Sequence, residues 1–171
     1  MKNFLTAGVF ALAFAVAAPA AAIAAEYKVG DITIVNPWAR ATPGAARNGG
    51  AYLTIRGGAS GDQLTGVEAD IAMRTEIHGN KQENGVMKMY KVESIEVPAG
   101  GMAMLKPGGF HVMLMKLKRA LKEGESFPMT LSFAKAGEVT VAFKILGVGA
   151  MKGGKGANHD SHGSHGKMKM K

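Results

Sequence analysis

Between residues 26 and 148, apolar and polar residues alternate in short runs, and the runs are separated by glycine, proline, asparagine or aspartate. A period of two sends successive side chains to opposite faces of an extended chain, so each run can bury one face and wet the other. An amphipathic helix would repeat its apolar residues every three or four positions over a longer stretch. No such stretch occurs; residues 116–122 have room for one helical turn. Strands are expected at 31–35, 51–56, 63–68, 74–78, 86–92, 94–97, 102–106, 110–116, 128–133 and 138–145. Turns are expected at Asn36-Pro37, Gly57-Gly58, Asn84-Gly85, 98–101, 107–109 and Ala136-Gly137, with a polar loop over 79–85. Short strands and turns at this spacing predict an all-β fold, an antiparallel β-sandwich or Greek-key barrel.

The N-terminus has a different composition. Lys2 is the only charged side chain before Glu26, an apolar stretch covers 4–18, and Pro19 and a run of alanines follow. A positive start, an apolar middle and small residues for a peptidase make a secretory signal peptide. Cleavage after Ala24 or Ala25 places the mature chain in the periplasm, starting at Ala25 or Glu26. An uncleaved anchor would need more Leu and Ile in its second half, and no other stretch has the length and apolarity to span, so no stable membrane insertion is expected. The remainder is long enough for one domain with a real core.

The chain contains no cysteine and 12 methionines. Without cysteine there is no disulfide, no lipid-attachment thiol and no thiolate for a blue-copper centre. Methionine is a soft sulfur ligand that carries no proton and cannot be lost to disulfide formation. Half of the net charge of +8 lies in residues 149–171, where five lysines face Asp160 alone. The body is only mildly basic and has no basic stripe interleaved with aromatics, so no nucleic-acid partner is expected. Residues 149–171 are Gly, Lys, His, Ser and Met without apolar periodicity and are expected to be disordered. His159, His162, His165, Met168 and Met170 in this tail are further candidate metal ligands.

Of the 5 histidines, only His78 and His111 lie in the body. In an extended chain His111, Met113 and Met115 share one face, as do Met87 and Met89. Ten residues separate His78 from Met89, twenty-one separate Met89 from His111, and one separates His111 from Met113. Chance gives such an arrangement in a chain of this composition with a probability on the order of 10⁻³. The spacing resembles the His-x10-Met-x21-His-x-Met signature of the PCu(A)C family of periplasmic copper chaperones. The flanking segments resemble that family too: Asn36-Pro37-Trp38-Ala39-Arg40-Ala41-Thr42-Pro43, Ala51-Tyr52-Leu53-Thr54-Ile55, Gly85-Val86-Met87-Lys88-Met89, and 105–114 around Phe110-His111-Val112-Met113.

The resemblance covers about 31–148 and leaves out the tail. It implies a cupredoxin-like sandwich over 26–148 that holds one Cu(I) through His78, Met89, His111 and Met113. Two imidazoles and two thioethers form a soft, neutral set that suits Cu(I) better than Zn(II) or Mg(II). Met87 and Met104 are the expected neighbours of the metal. Family members often carry Met directly after the first His, where this chain has Gly79, so that optional sulfur is absent. The tail imidazoles would take Cu(II) rather than Cu(I).

The function implied by the resemblance is delivery of Cu(I) to the binuclear copper site of cytochrome c oxidase. The partner would be an apo oxidase subunit or another copper chaperone. The alternative is periplasmic copper storage or resistance. Enzymatic chemistry is not expected. A histidine-brace copper oxygenase needs His as its first mature residue, and two body histidines with no paired carboxylates make no hydrolytic constellation. A β-sandwich adhesion module would not retain copper.

Overall fold

The structure, a computed structural model, describes residues 25–153. The expected leader, apart from Ala25, and residues 154–171 of the tail lie outside the described residues.

Eleven strands form the described chain, with no helix among them. They are β1 (Glu26–Val29), β2 (Ile32–Arg40), β3 (Asn48–Arg56), β4 (Asp62–Glu68), β5 (Ala72–Glu83), β6 (Val86–Lys91), β7 (Ile95–Val97), β8 (Met102–Leu105), β9 (His111–Leu117), β10 (Ser126–Phe133) and β11 (Gly137–Leu146). They join in the order β6-β5-β9-β3-β2-β11-β10-β4-β7, with β1 on β2 and β8 on β3. Every pairing is antiparallel except β11 with β2, which run parallel from Lys144↔Trp38 to Leu146↔Arg40. The sheet folds over itself, and the Thr75 hydroxyl on β5 donates to the Val67 carbonyl on β4 at 2.6 Å.

The period of two delivers the core. Ile34, Ile55, Leu64, Val112, Leu114, Leu131, Phe143 and Ile145 are fully buried, and Phe127 stacks on Phe143 at 5.8 Å. Asp62 ties the start of β4 to the β10–β11 hairpin. Its carboxylate accepts the backbone N–H groups of Gln63 (2.7 Å), Lys135 (2.9 Å) and Ala136 (2.9 Å). Burial would push this carboxyl up, but those three donors and the Lys135 charge outweigh it and hold it below the usual range.

Three local expectations are corrected, and one strand is added. Asn36-Pro37 is no turn: β2 runs through it as a bulge, shifting register between Val35 and Trp38 with Asn36 at φ 51°. A bulge absorbs the missing proline N–H and the left-handed asparagine without ending the strand. The polar loop over 79–85 is mostly strand, because β5 continues to Glu83 and only Asn84-Gly85 turn, with φ 51° and 78°. Positive φ at both positions suits a two-residue hairpin, for which Asn-Gly is favoured. Residues 116–122 form no helical turn. Leu121 is drawn fully into the core and exchanges hydrogen bonds with Thr42, so the chain after β9 follows that anchor instead of closing a helical turn. Finally, β1 pairs with β2, although its short, half-exposed run gave little periodic signal.

Strands β8 and β9 lie end to end along β3, opposite Leu53–Arg56 and Asn48–Ala51 respectively. The segment between them is pinched out of the ladder. Lys106 N–H bonds to the Phe110 carbonyl at 2.7 Å, and Gly108 takes φ 81°. This loop brings His111 to the first position of β9.

Candidate metal centre

Strand β5 runs between β6 and β9, and its register sets the site. His78 pairs with His111 on β9 and with Lys91 on β6; Asn80 pairs with Met89; Glu76 pairs with Met113. Residues paired across a ladder share a face, and so do alternate residues along a strand. His78, His111, Met89 and Met113 therefore all lie on one face of the three strands. The intervening Ile77, Val112 and Leu114 fill the core from the opposite face.

The two imidazoles sit 6.0 Å apart between ring centroids, with planes inclined by 54°. His111 is buried, His78 and Met113 are half-buried, and Met89 is 60% exposed. The donor set thus grades from a sheltered pair of imidazoles to a thioether open to solvent. Met87 lies one step further along β6, opposite Gln82, while Met104 on β8 is opposite Thr54. Both are exposed.

Hydrogen bonds distinguish the four ring nitrogens. His111 Nδ1 is 3.1 Å from the Gly109 carbonyl, which can only accept, so Nδ1 carries the proton and Nε2 keeps its lone pair. His78 Nε2 is 2.9 Å from Glu76 Oε2, and Arg74 Nε is 3.3 Å from the other carboxylate oxygen. The hydrogen bond from His78 holds the Glu76 carboxyl below the usual carboxylate range; partial burial works against this and the Arg74 charge assists. Among the described residues, His78 Nδ1 is buried without any hydrogen-bond partner. A buried polar atom left unpaired is costly and marks a position where a ligand would be accommodated.

The residues present fit a soft metal ion. Each imidazole offers one nitrogen with a free lone pair, and thioethers stand on the same face. Among the described residues no group of three or more His, Cys, Asp or Glu is placed to hold a metal. Met89 and Met113, on the same face, offer sulfur to a metal held by the two imidazoles, and such a set favours Cu(I) over hard ions. Glu76 was not singled out by the sequence, where it is one carboxylate among many. Its only signal is its place two residues before His78, on the same strand face.

Gly79 lies on the opposite face, paired with Tyr90. A Cβ there would meet the Tyr90 ring at 2.8 Å and the Phe110 ring at 3.1 Å. A methionine at this position would project away from His111 and Met113, so its absence leaves the face that carries them unchanged.

Further along the same face, Trp38 and Tyr52 pair across β2 and β3 with ring centroids 4.5 Å apart. Residues 150–153 lie over them. Arg40 Nε donates to the Ala150 carbonyl at 2.7 Å, its guanidinium stands over the Tyr52 ring at 5.8 Å, and Gly153 presses on the Trp38 indole. Burial pushes the Tyr52 phenol up, and the Arg40 charge partly offsets it. His159, His162, His165, Met168 and Met170 lie outside the described residues.

Comparison with known proteins places the chain in a family. Residues 32–145 match the family described as putative lipoprotein LpqE-like, although this chain has no cysteine. A putative lipoprotein of Leifsonia xyli subsp. xyli is 28% identical over 77% of this chain and 79% of its own length. A Rickettsia prowazekii protein is 31% identical over 67% of this chain and 66% of its own length. The copper-bound PCuAC domain from PmoF2 superposes with a TM-score of 0.62 at 28% identity, covering 72% of this chain and 98% of that domain. The Cu(I) form of DR1885 from Deinococcus radiodurans gives 0.53 at 28% identity, over 71% of this chain and 80% of that one. The chain belongs to the LpqE-like family, and its β domain has the cupredoxin-like fold of the PCu(A)C domains.

Proposed function

We propose that this protein is a periplasmic copper chaperone that binds one Cu(I) through His78, Met89, His111 and Met113. One observation supports this above all. Two opposed imidazoles each leave one nitrogen without a partner, on a face that also carries Met89 and Met113. The copper-bound and Cu(I)-bound relatives favour the same ion. The exposure of Met89 suits transfer, because an acceptor can displace an outer thioether while the two imidazoles still hold the ion.

The acceptor in this reading is the binuclear copper site of cytochrome c oxidase, reached directly or through another copper chaperone. The protein reaches the periplasm through its N-terminal leader, cleaved after Ala24 or Ala25, and it catalyses no reaction. The tail, through His159, His162, His165, Met168 and Met170, is a second metal-binding segment that takes Cu(II). Residues 150–153 root it on β2 and β3, on the face that also carries the four proposed ligands.

The test is anaerobic loading with one equivalent of Cu(I), followed by mixing with an apo fragment bearing the binuclear copper site. Transfer with formation of that site's absorption supports delivery. Retention of copper by the loaded protein favours storage, and failure to bind Cu(I) removes both readings.

A further inference from the structure

Glu76 stands beside the proposed copper site without belonging to its ligand set. It is a half-buried carboxylate on the ligand-bearing face, directly opposite Met113 and two residues from His78. Its two oxygens have separate partners: Oε2 is 2.9 Å from His78 Nε2, and Oε1 is 3.3 Å from Arg74 Nε. Arg74 thus fixes the carboxylate in the orientation in which it meets the imidazole.

An ionised carboxylate can only accept a hydrogen bond, so the proton of a neutral His78 must reside on Nε2. The lone pair is then on Nδ1, the buried side-chain atom with no partner. His111 has the opposite arrangement, because the Gly109 carbonyl takes its Nδ1 proton and frees Nε2. We propose that Glu76 is a positioning residue for copper: it locks His78 in the Nε2–H tautomer, so that His78 binds through Nδ1 while His111 binds through Nε2. The inference rests on the copper reading above.

The physical benefit has two parts. A metal-ligating imidazole held by a carboxylate is oriented before the metal arrives, and its ligating nitrogen becomes a stronger donor. The carboxylate also brings one negative charge near a ligand set that is otherwise neutral, which favours a bound cation. Neither part requires Glu76 to touch copper.

The test uses the mature full-length protein, labelled with ¹⁵N in its histidines. Long-range ¹H–¹⁵N spectra of the metal-free protein distinguish a protonated from a lone-pair ring nitrogen. His78 is expected to show Nε2 protonated and His111 to show Nδ1 protonated. Glu76→Leu should release His78 into a tautomer mixture while leaving His111 unchanged, and should weaken Cu(I) binding by about 10–100-fold at unchanged stoichiometry. Glu76→Gln retains an acceptor of similar shape but can also present its NH₂, so it should fall between the two. Being nearly isosteric, it also supplies the readout if the leucine variant fails to fold.

A wild-type His78 protonated at Nδ1 would overturn the proposal. So would a Glu76→Leu protein with unchanged tautomer and unchanged Cu(I) affinity, although copper binding itself would stand. If instead the His78 tautomer is as expected but neither histidine responds to Cu(I), the copper reading fails and this role for Glu76 fails with it.

Discussion

His78 and His111 are opposed residues of the β5–β9 ladder, and their rings lie 6.0 Å apart with one nitrogen of each free of partners among the described residues. Two strands whose register is fixed by a buried opposite face hold this pair in place, because a slip of one residue would send His78 into the core. Imidazole binds a metal only in its neutral form, whereas thioether has no proton to lose. Acid should therefore weaken Cu(I) binding by competing for the two imidazoles while leaving the thioethers untouched. His78→Met or His111→Met should flatten the profile, and Met89→Ala or Met113→Ala should lower affinity at every pH with little change of slope. Anaerobic competition against a chelator of known proton affinities measures this. A wild-type profile that stays flat into the acid range where free imidazole is protonated would exclude both histidines as ligands.

Gly79→Met tests whether the neighbouring position can supply sulfur. The new side chain would meet Tyr90 and Phe110 on the face away from His111. Both rings are partly exposed and can swing outward, so the cost should sit at the low end of overpacking, about 1 kcal/mol. Urea denaturation should report that loss, and the number of sulfurs bound to Cu(I), counted by X-ray absorption, should not rise.

Asp62→Ala should destabilise the fold by about 1–3 kcal/mol, because three backbone donors lose their acceptor. The folded carboxyl lies below its ordinary value, so its contribution is fully present above the unfolded pKa and is lost as pH falls through the folded one. Wild-type and variant stabilities, followed by denaturation, should converge in acid. A constant gap between them would mean that the carboxylate charge is not what those donors recognise.

Trp38 is the only tryptophan and lies beneath residues 150–153. Ending the chain after Gly153 should leave its fluorescence unchanged, and ending it after Val148 should expose the indole and shift its emission to the red. Both truncations should abolish Cu(II) binding by the tail and spare Cu(I) binding by the body. Full Cu(II) uptake by the shorter proteins would place that site in the β domain.

Much of this arrangement was legible in the sequence, because period-two alternation reports which side chains share a face. Met87 with Met89, and His111 with Met113, were placed together in this way before any pairing was known. Pairing itself was not legible. That His78 opposes His111, and that β11 runs parallel to β2, depend on contacts between residues far apart in the chain. Asn36-Pro37 read as a turn because both residues disfavour a regular strand, yet the ladders on either side of β2 carry it through as a bulge. Glu76 was silent because a carboxylate on an alternating strand is normally solvated. Only the ring nitrogen 2.9 Å away gives it a role.

A single Cu(I) site built from these four side chains has a distinct signature in solution. Cu(I) has a closed shell and leaves NMR signals sharp, so the methionine methyl groups and histidine rings can be followed one by one in the full-length protein. Up to one equivalent of Cu(I), the methyls of Met89 and Met113 and the rings of His78 and His111 should shift together and saturate together. Met168, Met170 and the tail histidines should respond only beyond that point. Saturation of the tail signals first, or a shift of the methionines without the two body histidines, would rule out a single Cu(I) site of these four residues.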